Sequence, residues 1–230
     1  MERAYDLTLA AAFLRGRAAR LGREDILPAR LRAGAPLTEE DLARLPACFE
    51  ALSGKLYTFK RGHEEMPRVK KVMGFLRSVQ PENLLDVGSG RGVFLFPFLR
   101  AFPWVEVTSI DLLPHRVALM DDLHRGGVTR LTAAQADLCL QPFPDGAFDV
   151  VTLLEVLEHI PDVERAVRAA VRMARRYVVV TVPSKPDDNP EHIHLLTKER
   201  LTELFRQAGC TKLHFDGVLG HLFLAAKIGV

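Results

Sequence analysis

Apolar side chains in the first eighty residues recur at helical spacing. Leu7, Ala10, Ala11, Leu14, Ala18 and Leu21 fall on one face, as an amphipathic helix requires. In GAPLTEEDLARLPACFEAL, Thr38 and Asp41 resemble a capping box ahead of Leu42, Leu45, Phe49 and Leu52. Pro46 interrupts that run and predicts a break or a fresh first turn, because it has no N–H to give. MPRVKKVMGFLRSV reads as a third helix with Pro67 near its first position. No strand pattern appears in this region.

From Asn83 the period changes. Short β-rich runs at Asn83–Val87, Glu106–Asp111, Leu131–Ala136, Phe148–Leu153 and Tyr177–Val182 alternate with helical patterns near Phe94–Ala101, Arg116–Arg125, Val163–Arg175 and Lys198–Ala208. Such alternation predicts a doubly wound, mostly parallel sheet with helices on both faces. Two further strands, Lys212–Asp216 and Leu222–Lys227, are separated by only a short Gly-containing turn. No crossover helix fits there, so one of the two runs antiparallel and the sheet has seven strands. The division expected is a helical extension over 1–80 and an α/β domain over 81–230. PSKPDDNPEH, with three prolines and no apolar residue, is the expected mobile loop.

Composition narrows the setting. With 48% hydrophobic and 26% charged residues, the chain has the apolar material for a sizeable core. A net charge of +2 gives no global field toward nucleic acid or a membrane surface. The three cysteines are far apart and form no CxxC pair, which disfavours a thiolate zinc site and suits a reducing cytoplasm. Glu2, Asp6 and Arg15 spoil a signal peptide at the amino terminus. No run approaches the ~18 apolar residues needed to span a bilayer.

The most informative stretch is LLDVGSGRGVFLF, which follows a strand and opens toward a helix. Glycines there let the backbone turn tightly and approach a ligand, at a helix end rich in free N–H groups. They stand at 88, 90 and 92, whereas a dinucleotide fingerprint would put its third glycine at Val93. Asp86, at the strand's end, would repel a pyrophosphate and welcome an ammonium group. Three more stations follow in order: Ile110-Asp111 ending the second strand, ADLCLQPFPDGAFDVV with Asp137, and LLEVLEHIPD after the fourth strand. From Asn83 to Lys227 the chain resembles the class I S-adenosylmethionine-dependent methyltransferases, which have a Rossmann-like sheet of this kind.

That resemblance implies a site. Gly88, Ser89, Gly90 and Gly92 would meet the methionine part of S-adenosyl-L-methionine, with Asp86 facing its amino group. Asp111, with Leu112 beside it, would accept the ribose hydroxyls. Asp137 and Leu138 would meet the adenine, and Leu154 and Glu155 would lie near the sulfonium. Read by themselves, Asp137 also fits a turn residue and Asp86 a cap. The donor is already activated, so alignment and desolvation do most of the work and no catalytic base is assigned.

Two clusters add an alternative. Glu155, Glu158 and His159 share a face if LLEVLEH is helical, and His192 lies in the loop after the fifth strand. Together they resemble the metal ligands of Hen1-type small-RNA 2′-O-methyltransferases, although the aromatic stretch after that family's last histidine is replaced by LLTKERL. The same ExxEH pattern also suits small-molecule enzymes in which it caps or braces a helix, and no metal is assigned. KLYTFKRGHEEMPR combines Tyr57, Phe59, Lys60, Arg61 and His63, which suits a stacked base and phosphate, closure over the methionine carboxylate of the cofactor that the resemblance implies, or a packed helix end. The leading expectation is a cytoplasmic enzyme with a small-molecule acceptor. RNA with a metal is the alternative, and a silent cofactor-binding subunit is a third reading.

Overall fold

The computed structural model describes residues 4–186 and 188–229. Glu2, used above against a signal peptide, and Asp187, within the proline-rich loop, lie outside the described residues. Seven strands form one sheet: β1 Asn83–Val87, β2 Glu106–Asp111, β3 Leu131–Gln135, β4 Phe148–Leu154, β5 Ala174–Pro183, β6 Cys210–Val218 and β7 His221–Ile228. Their spatial order is β3-β2-β1-β4-β5-β7-β6. All neighbours pair parallel except β7, which runs antiparallel to both β5 and β6. The strand direction therefore reverses at the short turn between β6 and β7, as the missing crossover helix requires.

The helices are α1 Leu7–Leu21, α2 Ala29–Arg32, α3 Glu39–Ala51, α4 Pro67–Val79, α5 Leu95–Ala101, α6 Pro114–Arg125, α7 Val163–Met173 and α8 Lys198–Gln207. Strand alternation sorts the core into two layers. Leu84, Val107, Val150 and Val179 face α5, α6 and the amino-terminal helices, in one cluster with Phe13, Phe49 and Val72. Leu85, Val151, Val178 and Val180 face α7 and α8, in a second cluster with Val167 and Phe205. The stack Phe13–Phe49–Phe59–Phe96, with ring centroids 5.3–5.8 Å apart, fastens the amino-terminal layer onto α5. Among the described residues no helix is long and apolar enough to cross a membrane.

Two local expectations are corrected. Pro46 does not break α3, which starts at the Thr38–Asp41 capping box and continues to Ala51. Leu45, Cys48 and Phe49 are buried on one side, while Pro46 is exposed. Pro46 leaves the Leu42 carbonyl without its helical hydrogen bond, and the buried stripe outweighs that loss. The helix expected to reach Arg175 stops at Met173, and Ala174 already pairs with Phe148 in β4. The cause is long-range: Arg175 and Arg176 reach back to Asp149, a buried carboxylate of β4.

Candidate active site

The carboxyl ends of β1, β2, β4 and β5 open onto one cavity of about 790 Å³. The glycine turn after β1 forms its floor. Gly88 has φ +68°, and a Cβ there would come within 2.8 Å of the Val156 side chain, so no larger residue fits. Gly92 also has positive φ, but the ring a Cβ would strike is that of Phe96 in α5. Gly92 packs the turn against its helix and is not among the cavity's lining residues, whereas Gly88, Ser89 and Gly90 are.

Asp86 lies beneath the turn at 3% exposure. Its carboxylate accepts hydrogen bonds from Ser89 Oγ (2.5 Å) and Thr152 Oγ1 (2.6 Å). Burial pushes its pKa up to about 6; those two hydrogen bonds restrain the rise and the Asp111 charge adds to it. A carboxyl group that is nearly dry yet largely ionised at neutral pH is well placed to take a cationic partner. Asp111, at the end of β2, accepts from the N–H of Leu113 (3.0 Å) and of Gly90 (3.4 Å), with Arg116 3.5 Å away. The next residue, Leu112, lines the cavity while 61% exposed. An apolar side chain left so open beside a polar floor suits the face of an aromatic base.

Asp137 caps the turn over Leu138–Leu140 by accepting from Cys139 N at 2.8 Å, and it also borders the cavity with Leu138. The turn reading of that residue is met by this hydrogen bond, and its place on the cavity leaves it open to a ligand. Leu154 ends β4, and Glu155 follows it with φ 58°, an unusual backbone for a residue with a Cβ. The Glu155 carboxylate is held by Thr181 Oγ1 at 2.8 Å and by His221 Nε2 at 3.0 Å.

The four-ligand metal set does not assemble. LLEVLEH forms only a single 3-10 turn over Leu157–His159, and Glu155 turns away to Thr181 and His221. Glu158, His159 and His192 do converge, each with one potential ligand atom within 4.8 Å of the others. Glu158 is fully buried, and its carbonyl accepts from the N–H groups of Ile193 and His194. The His159 ring meets the Glu191 carbonyl at 2.9 Å, and His194 meets that of Ile160 at 3.0 Å. These contacts clasp the segment after β5 onto the segment after β4.

Sequence reasoning missed several lining residues: Arg68, Val69 and Val72 of α4, Thr181, and Arg165 of α7. The α4 residues lie outside the expected domain, and only contact across the fold reveals them. Thr181 offered a signal, as a polar residue in the run YVVVTVP. The residues singled out in KLYTFKRGHEEMPR do not line the cavity. Phe59 is buried in the aromatic stack, Lys60 covers the Tyr57 ring, and Arg61 pairs with Glu64. Of that segment only its last residue, Arg68, lines the cavity.

Comparison with known proteins identifies relatives. The family described as a methyltransferase domain matches residues 59–214. The ubiquinone biosynthesis O-methyltransferase of Pseudomonas putida (strain GB-1) is 33% identical over 135 residues, covering 56% of this chain and 57% of that protein. Ajmaline N-methyltransferase of Rauvolfia serpentina is 28% identical over 117 residues, covering 50% of this chain and 38% of that one. The chain thus spans about half the length of the curated relatives it matches. A SAM-dependent methyltransferase from Aquifex aeolicus superposes with a TM-score of 0.60 at 17% identity, covering 73% of this chain and 93% of that one. At that identity the likeness is one of fold.

Proposed function

The chain belongs to the class I S-adenosylmethionine-dependent methyltransferases, and from that premise we propose that it transfers a methyl group from S-adenosylmethionine to a small-molecule acceptor. The observation that carries this reading is the meeting of Asp86, the Gly88–Gly90 turn and Asp111 on one cavity at the carboxyl edge of the sheet.

The residues fit the cofactor's parts. Asp86 would pair with the ammonium, and the backbone from Gly88 to Gly90 would follow the methionine chain. Gly92 would act only by shaping that turn. Asp111 would accept from the ribose hydroxyls, Leu112 and Leu138 would flank the adenine, and Asp137 would accept from its amino group. Leu154 and Glu155 would lie beside the sulfur. When bound, the cofactor supplies a methyl group already activated by the sulfonium. The chain's own task is to exclude water and align the acceptor behind that methyl.

A small acceptor accords with a cavity of about 790 Å³, which must take the cofactor as well. The two curated relatives carry the names of an O- and an N-methyltransferase, so the atom methylated is left to experiment. Residues 81–230 would carry the cofactor site, and residues 1–80 would cover it through α4. The free thiols of Cys48, Cys139 and Cys210 accord with a cytoplasmic setting.

The test is calorimetry with S-adenosylhomocysteine. Wild-type protein is expected to bind in the micromolar range or tighter, and Asp111→Ala to weaken binding by about 100-fold, as losing hydrogen bonds to a charged group predicts. Absence of binding by the wild type would overturn the reading. Radiolabelled methyl transfer to a panel of phenols and amines would then identify the acceptor.

A further inference from the structure

Glu155 borders the cavity with its carboxylate held by two other strands. Its N–H donates to the Thr181 carbonyl at 2.9 Å, and Thr181 Oγ1 donates back to Glu155 Oε1 at 2.8 Å. Thr181 is a buried hydroxyl in the otherwise apolar middle of β5. On the other oxygen, Nε2 of His221, the first residue of β7, lies 3.0 Å from Oε2. The second ring nitrogen of His221 meets the Leu219 carbonyl at 3.0 Å, so the imidazole is fixed from both ends. Together these contacts hold a residue with a Cβ at φ 58°, a backbone that persists only where its surroundings over-determine it.

A carboxylate has room for about four hydrogen bonds, and Thr181 and His221 take one on each oxygen. The remaining capacity is open, because the Glu155 side chain keeps 26% exposure on the edge of the cavity. Among the described residues no Lys or Arg pairs with it. The guanidinium groups that border the cavity have other neighbours. Arg116 lies 3.5 Å from Asp111, Arg165 acts on the Cys139 thiol, and Arg68 and Arg91 act on His63. A fixed anion without a cation beside it repels an acceptor that arrives already ionised and suits one that still carries its proton. A free amine or a thiolate attacks a methyl group unaided, whereas a hydroxyl is a poor nucleophile until its proton is taken.

We infer that the acceptor is a hydroxyl compound and that Glu155 takes its proton as the oxygen attacks, with Thr181 and His221 as positioning residues. This inference rests on the cofactor reading above. The step balances. The O–H bond breaks and its proton goes to the free face of the Glu155 carboxylate. An electron pair of the oxygen forms the O–CH3 bond, the pair of the broken S–CH3 bond stays on sulfur, and the sulfonium becomes a neutral thioether.

Two pairs of probes test this on the full chain. Sinefungin carries a protonated amine where the transferable methyl would be, and S-adenosylhomocysteine carries nothing there. By calorimetry, Glu155→Gln is expected to lower the ratio of sinefungin affinity to S-adenosylhomocysteine affinity by about 10- to 100-fold, the range for one charge-assisted hydrogen bond. The second pair is catechol and 4-nitrocatechol at pH 8, where only the latter is already ionised. Glu155→Gln is expected to lower kcat for catechol by about 100-fold more than kcat for 4-nitrocatechol, as loss of a proton acceptor predicts. His221→Ala shows part of the same selective loss in kcat with little change in KM, and His221→Gln, which keeps an N–H donor, recovers some of it. The inference is overturned if Glu155→Gln leaves the sinefungin ratio at the wild-type value, or if it slows both catechols equally. Methyl transfer by the wild type to amines but to no phenol would overturn it as well. A wild-type chain that binds neither sinefungin nor S-adenosylhomocysteine would remove the cofactor reading itself, and this inference with it.

Discussion

Asp86 is an acid buried beneath a turn, and its cost in the empty protein is a measurable signature of the site. The unfolded chain ionises this carboxyl near the ordinary 3.8 and the folded chain near about 6, so folding takes up a proton between those values. The stability it contributes is complete below 3.8 and is lost as pH rises through 6, by about 3 kcal/mol in all. Asp86→Asn removes the ionisation, and the Ser89 and Thr152 hydroxyls can rotate to suit an amide. Its ligand-free form is expected to melt higher than wild type at pH 8, and the gain shrinks as pH falls from 7 to 4. A gain that is equal at pH 4 and pH 8 would mean that Asp86 is not the buried charge. The ammonium of S-adenosylhomocysteine reverses the preference, so affinity in the wild type should rise from pH 5 to 7 and be flat in Asp86→Asn. At this scale the sequence was most legible where chain order and place in the fold coincide. Asp86, Gly88 and Asp111 are such residues, because each lies in the last two positions of a strand or begins the turn after it. Gly92 was legible as a glycine but for another reason, since what demands it is the Phe96 ring. Glu155 was read as a member of a helical face. Its left-handed backbone and its pairing with His221, 66 residues on in the chain, have no local trace.

Between elements, the closest approach is that of α1 to α6. A Cβ on Gly16 would run into the backbone carbonyl of Asp122, and one on Gly126 into that of Ala12. The two helices therefore pack backbone to backbone. The fully buried Asp122 carboxylate joins them by pairing with Arg17 and Arg20 of α1, the latter at 2.7 Å. Gly16→Ala is expected to cost about 3 kcal/mol, because backbone cannot yield as a side chain can. Gly74→Ala is the control. Gly74 is exposed in the middle of α4 with nothing near the added methyl, so it should gain about 1 kcal/mol through helix propensity alone. Urea denaturation of both variants measures the contrast; two losses of similar size would refute the packing argument. Helical periodicity located both helices, but nothing in it says that they touch. The ends of α3 and α7 were misjudged for the same reason. Pro46 and the Ala174–Arg176 run look decisive locally, and what decides each is a buried stripe or a carboxylate from elsewhere in the chain.

Over the whole molecule, the expected boundary near residue 80 separates two patterns of sequence but not two cores. Leu9, Phe13, Phe49, Val72 and Leu76 from the helical extension share one apolar cluster with Leu84, Phe96, Leu99, Val107 and Val150 from the α/β region. Phe59 and Phe96 stack across that boundary at 5.3 Å, and Asp122 of α6 depends on α1 for its counter-charges. Removing residues 1–80 would thus strip one face of the sheet layer, expose the outer surfaces of α5 and α6, and leave a buried carboxylate unpaired. Each fully buried apolar side chain so exposed forfeits about 1.5–3 kcal/mol, and several of them together exceed the ~5–15 kcal/mol that holds a domain of this kind folded. The chain starting at residue 81 is therefore expected to show no cooperative melting transition and no binding of S-adenosylhomocysteine, although it contains the glycine turn and both strand-end acids. A fragment that melts cooperatively within a few degrees of the full chain would make the helical layer an independent cap.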